Sequence, residues 1–207
     1  LLECRISAYA PVAIFGAGHV AQALVTVLTQ LPGPLRWIDN RADMVDQANG
    51  MMGQKISCEW HSDPIAQMRS LPAATRVVIV THNHQLDYDL LSAAMEHGQL
   101  EYIGCIGSET KTQRFAMRLA HDGFSNEAIG ELHMPIGHAD IQGKLPMEVA
   151  ISICAELMTL STRSASVRTV RQGIHWKQLK AALIPATDKK QSELSPKQQP
   201  NFIAGEE

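Results

Sequence analysis

The sequence predicts an α/β fold, a doubly wound and mostly parallel sheet with helices on both faces. Three observations carry this. Short apolar runs alternate with amphipathic stretches of helical period, the pattern of strands joined by crossover helices. The stretch VAIFGAGHVAQAL, Val12 to Leu24, leads an apolar strand into a glycine-rich turn and out along an apolar helical face. Polar clusters follow several strands, where an open parallel sheet offers its carboxyl ends to ligands.

Element by element, Val12–Phe15 reads as a short buried strand, followed by a helix with Val20, Leu24, Val27, Leu28 and Leu31 at helical spacing, stopped at Pro32-Gly33. LRWID (Leu35–Asp39) is a second strand and KISCEW (Lys55–Trp60) a third. RVVIV (Arg76–Val80) is the clearest strand, β-branched and flanked by polar residues. A helix over Leu86–His97, a strand Tyr102–Ile106 and a helix over Glu109–His121 follow. A last helix starts near Pro146, which suits a first turn because its missing N–H has no partner there. It runs to about Leu160, with Val149, Ile153, Leu157 and Leu160 on one face. The domain is expected over residues 12–184. Residues 1–11 read as a lead-in, consistent with the remnant of a further N-terminal domain, since the chain opens LLECRISAYAP without an initiator methionine. Residues 185–207, polar and proline-punctuated, are expected to be disordered.

Composition narrows the function classes. The 207 residues are 45% hydrophobic and 19% charged with a net charge of −3, ordinary for a globular protein. No dense basic block favours nucleic acid, and no apolar run approaches the roughly 18 residues of a membrane span. Cys4, Cys58, Cys105 and Cys154 lack C-x-x-C spacing, and three lie in apolar runs. They read as buried thiols in a reducing compartment, and with no signal peptide visible the expected location is cytoplasmic.

GAGHVA supplies Gly16, Gly18 and Ala21 of the G-x-G-x-x-G/A pattern of Rossmann-like folds. The first glycine permits the tight turn and the second lets a phosphate approach the backbone. The third small residue lets helix and strand pack closely, while the helix N-terminus offers amides to the anion. Ala17, His19 and Val20 complete that turn. Asp39 closes the next strand about 20 residues on, where an acidic side chain would hold a ribose diol. Arg41 suits an extra phosphate, and is compatible with NAD, NADP, another anion, or plain solvent.

Two later clusters lie at the same edge. THNHQLDYDLL places Thr81, His82, Asn83 and His84 after the strongest strand. The H-x-H pair invites a metal, but no third ligand has convincing spacing, so no metal site is assigned. A polar ligand contact, or helix capping by Asn83 and Asp87, is the simpler role. GCIGSETKTQRFAMR places Gly107 and Ser108 after the following strand. Ser108 can cap the helix. Lys111, Arg114 and Arg118 are spaced to share a face, and cations near a helix start ask for an anion. Glu148 is a favourable dipole partner for the last helix. No Ser–His–Asp, Cys–His or paired-carboxylate arrangement appears, so no catalytic residue is named.

In order and separation, FGAGHVAQAL, THNHQLDYDLL, IGCIGSETKTQRF, MPIG and LPMEVAISICAEL resemble the C-terminal domain of the XdhC/CoxI family, the xanthine dehydrogenase accessory proteins. The resemblance covers about Val12 to Leu160. It implies a Rossmann-like domain of a molybdenum-cofactor chaperone, one that binds the pterin-based cofactor and supports its sulfuration by a cysteine desulfurase. Delivery to a xanthine dehydrogenase apoenzyme follows, and homodimerisation is implied too. The motif carry-over reaches Gly16, Gly18, His19, Thr81, His82, Gly107, Ser108, Lys111, Arg114, Pro135, Gly137 and Glu148. Full-length members carry a further N-terminal domain that nothing in this sequence matches. Two other readings remain beside the chaperone. One is an NAD(P)-dependent oxidoreductase using the same turn, with His82 as its acid or base. The other is a docking module with a vestigial nucleotide site.

Overall fold

In a computed structural model of the chain, residues 9–52, 56–141 and 143–164 are described, side chains 161–164 excepted. The elements are β1 (Val12–Phe15), α1 (His19–Leu28), β2 (Leu35–Asp39), α2 (Ala42–Met52), β3 (Cys58–Trp60) and α3 (Pro64–Arg69). They continue with β4 (Arg76–Ile79), α4 (His84–His97), β5 (Tyr102–Cys105), α5 (Glu109–His121), α6 (Asn126–Gly130) and α7 (Pro146–Ser164). Among the described residues the five strands form one sheet of order β3-β2-β1-β4-β5, and every pairing is parallel. The expected doubly wound α/β fold is the observed one. Because the order reverses beside β1, the carboxyl ends of β1 and β4 flank the crevice where such sheets receive ligands.

Two cores follow from strand alternation. Ile14, Trp37, Val78 and Val80 point to the face covered by Leu24, Val25 and Leu28 of α1, Val45 and Ala48 of α2, and Ile153 and Leu157 of α7. Ala13, Phe15, Ile38, Val77 and Ile79 point to the opposite face, covered by Met68, Leu90, Leu91, Phe115 and Leu119. Each fully buried Leu or Ile contributes about 1.5–3 kcal/mol of transfer free energy. Such a bilayer of cores makes β1 and β4 apolar on both sides, which is why they read as continuous hydrophobic runs.

The boundaries differ from expectation in instructive places. The third strand begins at Cys58, and the expected start at Lys55 lies outside the described residues. The fourth helix starts two residues early, at His84, because Asn83 Oδ1 accepts from the N–H groups of Gln85 and Leu86. The first helix stops at Leu28, although its apolar face continues to Leu31. Three helices had no expectation at all. α2 buries only Val45 and Ala48, too short a stripe to register, and α3 and α6 span 6 and 5 residues, less than the window a helical period needs. α7 starts at Pro146 as expected. Glu148 Oε2 accepts from the N–H groups of Lys144 and Leu145, so it ties the chain entering the helix as well as facing its dipole. The tail over 185–207 and Cys4 lie outside the described residues.

Candidate functional site

The glycine turn is built in two halves. Its first half spends every backbone group internally. Gly16 N–H donates to Ile38 O at 2.8 Å, and Gly16 O accepts from the indole of Trp37 at 2.7 Å. Ala17 N–H donates to Asp39 Oδ2 at 2.6 Å, and Ala17 O accepts from Gln22 Nε2 at 2.9 Å. Gly16 has φ +121°, and a Cβ there would lie 2.4 Å from Val80 O; this position demands glycine because the turn presses on β4.

The second half is open. The N–H groups of Gly18, His19, Val20 and Ala21 have no hydrogen-bond partner among the described residues. Helix α1 has no side-chain cap and no acidic residue in its first turn. A Cβ on Gly18 would meet nothing within 4 Å, so the helix start is open at that residue. That is the donor set of an anion site: aligned N–H groups, the positive end of a helix dipole, and room.

Asp39 is buried and fully engaged. Besides Ala17, it accepts from Arg41 N–H at 2.8 Å and Arg41 Nε at 2.9 Å on Oδ1, and from Arg41 Nη2 at 2.7 Å on Oδ2. Burial pushes the Asp39 carboxyl up, but the hydrogen bonds and charge of Arg41 and the Ala17 N–H outweigh it and hold it below the usual carboxylate range. The pair therefore anchors the turn to the end of β2. A crevice of about 10 Å³ remains beside Gly16, Asp39 and Thr81, room for about one water.

On the other flank, Thr81 and Lys111 turn inward. Thr81 donates through N–H (3.2 Å) and Oγ1 (2.7 Å) to Asp87 Oδ1. Lys111 Nζ donates to Asp87 Oδ2 at 2.6 Å and to Ile106 O at 2.7 Å. Asp87 is 0% exposed. The expected shared face of Lys111, Arg114 and Arg118 is not formed. Lys111 lies with Phe115 and Leu119 on the buried face, Arg114 is exposed, and Arg118 stacks on the Tyr88 ring at 3.7 Å. Spacings of three and four admit either grouping, and the apolar residues at 115 and 119 decided it.

The remaining candidates stand at the rim. His19 and His82 are exposed, Gly107 is half-buried against the Lys111 stem, and exposed Ser108 caps α5 through the Lys111 N–H at 3.3 Å. Asn83 caps α4, the simpler of the roles expected for its cluster. Among the described residues, no group of three metal-ligating side chains occurs. The MPIG segment is tied to α7 instead, where Glu156 pairs with His133 Nδ1 and accepts from Gly137 N–H at 2.6 Å. Cys58, Cys105 and Cys154 are buried and free. Burial pushes their thiols up to about 12, 12 and 11. Sequence reasoning did not find Trp37 and Gln22, which lock the turn, because only the three-dimensional register brings them to it.

A glycine turn leading from the central strand of a parallel sheet into an uncapped helix defines a Rossmann domain. The chain belongs to the XdhC family, whose Rossmann-domain model matches residues 12–157. A solved structure described as a xanthine dehydrogenase from Bacillus halodurans is 28% identical with a TM-score of 0.60; the match covers 78% of this chain and 45% of that one. The chain thus spans less than half the length of that relative. A protein assigned as a myo-inositol dehydrogenase from Sinorhizobium meliloti 1021 matches at 15% identity and TM-score 0.39, over 55% of this chain and 33% of that one. No curated protein matches. Among the described residues no helix is long and apolar enough to cross a membrane.

Proposed function

We propose that the chain serves as an accessory protein of xanthine dehydrogenase, holding molybdenum cofactor by its phosphate and delivering it, sulfurated, to the apoenzyme. The observation that carries this reading is the row of unpartnered amides from Gly18 to Ala21, with nothing within 4 Å of where a Cβ on Gly18 would stand, in a chain of the XdhC family. The cofactor's terminal phosphate fits that donor set: it needs backbone N–H groups and a helix N-terminus, and no protein base. Gly18, His19 and Val20 would hold it, with His82 and Ser108 across the crevice at the rim. When bound, the cofactor supplies molybdenum redox chemistry to the enzyme that receives it. A carrier's own residues bind, orient and release. In this reading a cysteine desulfurase supplies the sulfur and the working unit is a homodimer.

Hydride transfer to or from NAD(P) finds less support. Asp39, which would have to hold a ribose diol, has both oxygens filled by Ala17 and Arg41. His82, the one candidate acid or base, is exposed and has no carboxylate partner among the described residues.

The test compares wild type with Gly18→Asp, which places a carboxylate in front of the amides without a steric clash in the fold. Wild type is expected to retain molybdenum by elemental analysis and to reactivate cofactor-free xanthine dehydrogenase, and the variant to lose both. Blank results for wild type in both assays overturn the reading. NADH and NADPH titrations followed by fluorescence check the alternative, and micromolar binding would favour it. Partner binding that survives intact in Gly18→Asp, with no cofactor bound by wild type, would favour a docking module.

A further inference from the structure

The carboxyl rim carries one large group that the phosphate reading leaves unused. Trp60 ends β3 in register with Asp39 and is 53% exposed, while Trp37, on the neighbouring strand, is 0% exposed. The exposed indole is nevertheless fixed. Its Nε1 donates to Asn40 O at 3.2 Å, which pins the ring at the lip of β2, between the two strands' ends. The next residue, Arg41, is held by Asp39 through Nε and Nη2, and its Nη1 has no partner among the described residues. Two strand spacings, about 10 Å, separate β3 from β1, whose end leads to the free amides.

An immobilised aromatic ring, a guanidinium with a donor to spare and a phosphate cradle along one rim make a set with one common customer. We infer that Trp60 is the stacking platform for the planar nitrogen heterocycle of the ligand whose phosphate the Gly18–Ala21 amides receive. The inference rests on the phosphate reading above and adds to it the part of the ligand that confers selectivity. A ring already held in place loses little freedom on binding, so stacking on it returns most of its free energy as affinity. Arg41 Nη1 can donate to an acceptor on the ring's edge. A fused heterocycle joined to phosphate occurs both in nucleotides and in phosphorylated pterins, and the test separates the two sources.

The full chain is titrated calorimetrically with pyrophosphate, ADP, orthophosphate and a pterin monophosphate, as wild type, Trp60→Ala and Trp60→Phe. Base-on-aromatic stacking is worth about 1–3 kcal/mol, so at least one ring-bearing probe is expected to bind about tenfold tighter than its ringless anion. Trp60→Ala is expected to erase that ratio and Trp60→Phe, which can stack but lacks the Nε1 tether, to keep part of it; thermal melts confirm that each variant is folded, since nearly half of Trp60 is covered. ADP showing the ratio points to a nucleotide, the pterin showing it to a pterin. Ringless anions that bind while both ring-bearing probes bind no better overturn the inference and leave the phosphate site standing. A ratio that survives Trp60→Ala also overturns it. Failure of all four probes to bind overturns both readings. A Trp60→Ala defect confined to partner-protein binding assigns the tryptophan to a protein contact and overturns the stacking role.

Discussion

The ammonium of Lys111 lies 2.6 Å from Asp87 Oδ2, an ion pair sealed beneath the carboxyl edge, with side chains 9% and 1% exposed. It ties α5 to α4, and through Ile106 O and Thr81 it ties both to the ends of β5 and β4. Lys111 and Thr81, which the sequence places among ligand contacts, are thus both turned inward onto Asp87.

Removing one partner of a buried pair strands the other charge. Lys111→Met is expected to destabilise the chain by about 3–5 kcal/mol, and Asp87→Leu combined with it to recover a substantial part. Urea denaturation of the two variants and wild type measures this. A loss below about 1 kcal/mol for Lys111→Met would show that water reaches Asp87.

The two glycines of the turn are expected to behave oppositely. Gly16→Ala forces a side chain into a positive-φ position and against Val80 O, costing more than about 2 kcal/mol. Gly18→Ala, at φ −72° with open space beyond, stays within about 0.5 kcal/mol of wild type. Thermal melts of both proteins compare them directly.

Trp37→Phe opens a cavity where the pyrrole half of the fully buried indole lay and leaves Gly16 O without its donor. The expected cost is about 1–3 kcal/mol. Chemical denaturation reads the stability, and amide hydrogen exchange at Gly16 and Ala17 reads whether the turn itself has loosened.

Asp39 makes the fold sensitive to acid. Its carboxyl sits below the ordinary value of 3.8, so between the unfolded and folded values the native state binds fewer protons than the unfolded one. Its contribution is therefore fully present from about pH 5 upward, a unit above the unfolded value, and is lost as pH falls through the folded value. Asp39→Asn is expected to lower stability at pH 7 and to flatten stability against pH between about 5 and 2. Glu59 and Glu156 are also held low, so part of the slope persists. Urea midpoints across that range test the difference.

The thiols of Cys58, Cys105 and Cys154 are buried and pushed to about 12, 12 and 11. Thiolate is the reactive form, so at pH 8 iodoacetamide should leave these three unmodified in native protein and label them in urea. Peptide mass spectrometry gives the answer site by site.

The chain order of strands and the glycine turn were legible in sequence because both are local: β-branched runs, glycine spacing and caps such as Asn83 and Ser108 act over a few residues. The cluster at Thr81 to Asp87 was placed at the correct edge for the same reason. What each side chain does there was less legible. Lys111 reads as a surface cation until Phe115 and Leu119 fix which way its helix face turns. Asp39 reads as a ligand group until Ala17 and Arg41 are seen to fill it. Trp37 looks like any apolar strand residue until parallel register sets its indole against Gly16. Short helices such as α3 left no periodic trace at all.

The sheet order also has a temporal side. β1 lies at the centre, paired on one flank with β2 and on the other with β4, and β4 begins only at Arg76. During synthesis, at about 5–20 residues per second, Val12–Phe15 is translated before Arg76–Ile79 and keeps one bare flank until that strand has emerged from the ribosome. In that interval the nascent chain exposes an unpaired, strongly apolar strand beside an unfinished crevice. That flank of β1 is open to non-native pairing during synthesis and is closed by β4 in the folded sheet.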